Sequence, residues 1–205
     1  DFCLSRGLGD VYKRQDVETT DVFDPKAVTQ MSEGELKNRL VKYKVALQPN
    51  KHPEIWRKLC ATLCDDFDGD IRNLFIKNDN SVEKIKEYIV GNKKKFPYLS
   101  GPKILNYWLY VMTQYTAIDL AGREYITVAP DTHVIQASMK LGLIKDEDKS
   151  RADIREYVST LWEEVFYDTE YCPIDVHTPL WLWSRNGFAA QIEVDKDNEL
   201  SLIHI

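Results

Sequence analysis

Lys103 and Asp131 are the residues of this chain whose types and settings best suit chemistry. Lys103 follows a tight Ser100-Gly101-Pro102 turn and stands just inside a helix. Asp131 follows Pro130 and stands at the mouth of a second helix. A lysine amine is a nucleophile once neutral, and desolvation in an apolar pocket can make it so. A carboxylate that caps a helix has a fixed rotamer. From there it can stabilise a developing cation or assist a proton transfer. Singly, such a lysine is a surface residue with its stem laid on apolar neighbours, and such an aspartate is a plain N-cap. Together, beside a turn, they favour a reaction in which an amine attacks carbon and a carboxylate steadies the positive charge.

Three elements must position the lysine. Ser81 can N-cap a helix through Ile85, Tyr88 and Ile89 that runs to about residue 93. A turn at 96–101 follows, and Pro102 then takes a first helical position, where its missing N–H costs nothing. The helix it opens, to about Tyr115, is apolar nearly all round and reads as buried on most sides. Residues 81–115 therefore form a helix–hairpin–helix. Small and cyclic turn residues let backbone N–H groups approach a ligand, and the following helix aims its positive end the same way. A phosphate is the natural guest, which points to sequence-independent DNA anchoring. Lys95, Leu99, Ser100 and Gly101 are the candidate backbone contacts, with His133 on the first turn after Asp131. Asn92-Lys93-Lys94-Lys95 is the densest positive run and reads alternatively as a solvated helix end.

The remaining signals are helical too. Ser32-x-x-Glu35 is a capping box ahead of Leu36 and Leu40. His52-Pro53 starts a helix of 3.6 period that Asp68-Gly69-Asp70 ends. A short helix covers Ile71–Ile76. Ala117–Ala129 is a connection with one β-like stretch, Tyr125–Val128. The helix capped by Asp131 stops at Gly142. Ser150–Phe166 is amphipathic, and Thr178-Pro179 opens a last aromatic helix through Trp181 and Trp183. The fold class is all-α.

Composition narrows the setting. The chain has 205 residues, 43% hydrophobic and 11% aromatic, with a net charge of −6. No apolar run reaches the roughly 20 residues of a membrane span. The three central cysteines, Cys60, Cys64 and Cys172, make no Cys-x-x-Cys pair and no four-ligand metal set. Cys60 and Cys64 share a helix face and read as buried thiols. A reduced, cytoplasmic protein is expected; the DNA reading adds nucleoid association, and the lysine–aspartate chemistry requires no metal or organic cofactor. Both ends look foreign. Asp10–Gln15 reads DVYKRQ and Leu200–Ile205 reads LSLIHI. One set of codons for the first hexapeptide is the reverse complement of a set for the second. They resemble a translated sequencing adapter. Residues 1–15 and 200–205 are set aside on that ground, leaving 16–199 as one domain with a charge near −7. A generally basic nucleic-acid binder is thereby disfavoured, while a local basic face is not.

The segment YLSGPKILN, followed by Pro130-Asp131-Thr132-His133, resembles the helix–hairpin–helix DNA glycosylase superfamily. Endonuclease III there carries LPGVGRKTAN and then VDTH. The likeness spans about Ile55–Phe188 and is strongest over Phe96–Leu143. This chain lacks the hairpin's second glycine and the cysteine cluster of endonuclease III, and its Lys-to-Asp interval is longer. In its longer interval and its compact all-helical chain it looks closer to the archaeal-type 8-oxoguanine glycosylases. The resemblance implies two helical lobes around a central cleft, a Schiff-base role for Lys103 and the catalytic aspartate's role for Asp131. It implies a monomer acting on double-stranded DNA that contains a damaged base. Tyr107, four residues after Lys103, becomes the stacking candidate; Asp175, His177 and Trp181 complete the expected base pocket. Two alternatives stay open: a monofunctional glycosylase in which Asp131 activates water, and a non-catalytic DNA-docking module.

Overall fold

The computed structural model describes residues 20–42 and 45–189; both adapter-like segments lie outside the described residues. Those residues are mostly helical and contain no strand, as the all-α expectation holds. The chain divides into two compact units that meet in sequence at Gly101–Pro102, inside the expected hairpin.

The first unit holds a 3₁₀ turn at Thr20–Phe23, then α1 (Pro25–Gln30), α2 (Glu33–Lys42), α3 (His52–Phe67), α4 (Ile71–Lys77) and α5 (Val82–Gly91). Local chemistry sets most of these boundaries. Asp24, Asp70 and Ser81 each accept a backbone N–H as N-caps, and Ser32 Oγ accepts the N–H of Glu35. Asp68 (φ 55°) and Gly69 (φ 77°) end α3 in the left-handed region. The apolar stripe of α2, Leu36 and Leu40, buries against Val22, Val28, Ala46 and Cys60. Trp56 packs on that cluster and donates its indole N–H to the carbonyl of Val22 at 2.7 Å. Burial pushes the Cys60 thiol up to about 12, as befits an inert core residue. Helix α5 stops two residues before the expected 93. Asn92 is its C-cap: its backbone N–H bonds to the carbonyls of Tyr88 and Ile89, and its side-chain amide donates to Tyr88 O at 2.8 Å.

The second unit holds α6 (Pro102–Tyr115), α7 (Thr132–Lys140), α8 (Ile154–Phe166) and α9 (His177–Arg185), with 3₁₀ turns at Arg123–Tyr125, Asp146–Ser150 and Pro173–Val176. Its core gathers Val128, Val134, Ala137, Ile144, Val158, Trp162 and Leu180. Trp162 donates its indole N–H to Ser138 Oγ at 2.9 Å, so the large ring is buried without a polar cost. Helix α7 ends as its glycine requires. Gly142 (φ 78°) donates to Met139 and Leu143 donates to Ser138, the paired bonds of a Schellman motif.

Three sequence expectations change here. The β-like stretch is not a strand: Arg123–Tyr125 is a 3₁₀ turn, while Ile126 and Val128 are buried as single anchors. The helix expected from Ser150 starts at Ile154, because 146–150 close a 3₁₀ turn first. Helix α6 buries Leu105 and Leu109 but leaves Ile104 39% exposed, so its apolar surface is not fully enclosed. Among the described residues no helix is long and apolar enough to cross a membrane.

Candidate active site

Lys103 and Asp131 come together in the second unit. Lys103 Nζ lies 3.6 Å from Asp131 Oδ2, with the lysine side chain 57% exposed and the aspartate 21%. The sequence explains both placements. Pro102 opens α6, so Lys103 is fixed in its first turn. Asp131 is the N-cap of α7, in extended backbone, and its Oδ1 accepts the N–H groups of His133 (3.0 Å) and Val134 (3.1 Å). One carboxylate oxygen is thus committed to the helix and the other faces the amine. The apolar enclosure expected around Lys103 is not what surrounds it: its amine meets a carboxylate and its stem is largely in solvent.

His177 and Tyr107 flank this pair. His177 is 6% exposed, and its Nδ1 is buried without a hydrogen-bond partner. Burial pushes its pKa down to about 4; the Asp131 charge opposes that shift and the Lys103 charge adds to it. The ring is therefore neutral at physiological pH. Tyr107 meets it edge-on with ring centroids 5.6 Å apart, and burial raises the Tyr107 phenol above its usual range. Four expected site residues, Lys103, Asp131, Tyr107 and His177, thus share one neighbourhood.

Trp181 and Asp175 are differently engaged. Trp181 sits against the apolar core, edge-on to His133 at 5.6 Å, with the Arg185 guanidinium 4.8 Å over its ring. His133 Nδ1 is 3.2 Å from Ser184 Oγ, and that hydroxyl donates to Gln136 Oε1 at 3.0 Å. The histidine's ring thus ties α7 to α9. Asp175 forms an ion pair with Arg123 and accepts the N–H of Cys172 at 3.0 Å. Its carboxylate braces the turn that leads into α9.

The backbone-contact candidates Lys95, Leu99, Ser100 and Gly101 belong to the first unit. The N–H groups of Leu99, Ser100 and Gly101 bond to Pro97, Phe96 and Tyr98. Internal bonding therefore uses donors that an anion cradle would need. Lys95 Nζ bonds to both oxygens of Asp66, at 2.7 and 3.0 Å, which holds the lysine above its usual pKa. Of the basic run, Lys95 is thus already neutralised by a carboxylate.

Sequence reasoning passed over Asn106 and Arg123. Asn106 is 4% exposed. It donates to Pro102 O and Thr127 Oγ1 at 3.0 Å and accepts the Thr127 N–H at 3.3 Å. It ties the start of α6 to the segment that leads to Asp131, and so supports the Lys103–Asp131 geometry. An amide three residues after Lys103, on a face otherwise leucine, was the available signal. A shallow depression on α8, lined by Thr160, Glu163, Glu164 and Tyr167, includes none of these residues. Among the described residues no group of three His, Cys, Asp or Glu side chains could hold a metal ion. Comparison of the chain with protein-family models, curated proteins and solved structures gives no match.

Proposed function

We propose that this protein is a base-excision DNA glycosylase with abasic-site lyase activity. Its substrate is duplex DNA carrying an oxidised purine, with 8-oxoguanine favoured, and it works as a monomer at the nucleoid. The observation that carries the reading is the 3.6 Å approach of Lys103 Nζ to the helix-capping carboxylate of Asp131. The resemblance to helix–hairpin–helix glycosylases supplies the roles. A flipped nucleotide would present C1′ to Lys103 and cover the exposed amine, excluding the water that now reaches it. Asp131 takes a proton from the ammonium, and the neutral amine bonds to C1′ as the C1′–N bond to the base breaks. The proton passes on to the departing base, so the Asp131 carboxylate is charged again and faces the positive charge on the sugar. The C1′–O4′ bond then breaks, with the nitrogen's proton passing to O4′, to give the Schiff base, and loss of a C2′ proton expels the 3′ phosphate by β-elimination. Tyr107 and His177 supply an aromatic face and a neutral polar edge for the extruded base.

One observation favours a second reading. The Lys103 side chain is more than half exposed and paired with a carboxylate, which suits a monofunctional enzyme in which Asp131 activates water. A panel of duplexes with single lesions, scored with and without alkali, separates the two. Strand cleavage without alkali is expected, strongest for 8-oxoguanine. Cleavage only after alkali selects the monofunctional enzyme, and no release from any lesion contradicts both.

A further inference from the structure

Tyr98 holds a backbone angle that a tyrosine rarely adopts. Its φ is 63°, in the left-handed region where glycine sits freely and a bulky side chain does not. The turn fixes it there from several sides. Leu99 N–H bonds to Pro97 O across it at 2.8 Å, Ser100 N–H to Phe96 O at 3.0 Å, and Gly101 N–H to Tyr98 O at 3.0 Å. A Cβ on Gly101 would stand 3.2 Å from the Tyr98 carbonyl, so the turn closes tightly on its C-terminal side. On the other side Phe96, 1% exposed, anchors it edge-on to Tyr88 at 6.0 Å.

Burial does not account for a tyrosine at this position. Tyr98 is 45% exposed, and its ring contact is the edge of His52 at a centroid distance of 6.4 Å. Glycine would relieve the strain and give up little packing. Strain kept at an exposed aromatic tip points to a contact outside the chain. The surroundings name its chemistry. Lys93 and Lys94, five and four residues earlier, are exposed on the same turn region. An exposed aromatic side chain that follows two exposed lysines closely in sequence suits a nucleobase stacked on the ring, with the lysines available to its phosphates. We infer that Tyr98 is a nucleic-acid contact that stacks on an unpaired base of the bound duplex. This rests on the DNA reading above and adds a binding residue in the first unit, apart from Lys103 and Asp131.

The test compares wild type, Tyr98→Gly and Tyr98→Phe by thermal unfolding and by fluorescence anisotropy. The probes are a fully paired duplex and the same duplex with one unpaired base. Tyr98→Gly should unfold at or above the wild-type temperature, because strain is relieved. It should bind the unpaired-base duplex about ten-fold more weakly, the scale of one lost stacking contact, and the paired duplex nearly unchanged. Tyr98→Phe should match wild type on both. The inference is overturned if Tyr98→Gly binds both duplexes as wild type does, or weakens equally on both. It is also overturned if Tyr98→Gly unfolds well below wild type, since the tyrosine is then structural. Absence of wild-type binding to either duplex overturns the DNA reading itself, and the wild-type measurement tells that failure from the others.

Discussion

At the residue scale Asp131 does two jobs that substitution can separate. Its Oδ1 caps α7 and its Oδ2 faces Lys103. Asparagine caps about as well as aspartate, whereas alanine does not. Asp131→Asn should therefore keep near-wild-type stability while base release slows by roughly 10²–10⁴-fold, the usual worth of a positioned proton-transfer group. Asp131→Ala should add a loss of about 1 kcal/mol in stability. Denaturant melts beside single-turnover excision rates would check both. His177 predicts a pH dependence. Its pKa is pushed down to about 4 in the folded chain, against an ordinary 6.5. The unfolded chain therefore binds a proton that the folded chain refuses. The neutral ring's contribution is fully present above about pH 6.5 and is lost as pH falls towards 4. His177→Gln should flatten that slope of stability against pH between 7 and 5.

At the element scale the distinction between local and distant chemistry decides what a sequence reveals. The caps at Ser81 and Asp131 and the stop at Gly142 were all legible, because each depends on residues within one helical turn. The ties that place the elements were not. Asn106 reaches Thr127, 21 positions away; Lys95 reaches Asp66, 29 away; Arg123 reaches Asp175, 52 away. No periodicity encodes such pairs. Asp175 thus read as a pocket residue from its place before His177, whereas its carboxylate is taken by Arg123 and a backbone N–H. Asn106→Ala tests the most consequential of these ties. It removes the buried amide that pairs with the half-buried Thr127 groups and should cost about 1–3 kcal/mol. Excision should slow further than the stability loss explains, because the start of α6 is no longer tied to the segment that carries Asp131. Comparing rates at a temperature where the variant stays fully folded checks this.

At the scale of the whole molecule, charge is the open lever. The proposed DNA binding by a chain of net charge −6 calls for local basic groups, and one of them is already engaged. Asp66→Asn should release Lys95, tighten duplex binding, and steepen the fall of log K with log salt by about one phosphate's worth, roughly 0.9. Titrations at several salt concentrations would show this. Lys103 decides the account as a whole. Borohydride reduction in the presence of 8-oxoguanine duplex should trap wild-type protein covalently on DNA, and Lys103→Ala should trap none. Equal trapping by wild type and Lys103→Ala, or no trapping by wild type, contradicts the Schiff-base mechanism.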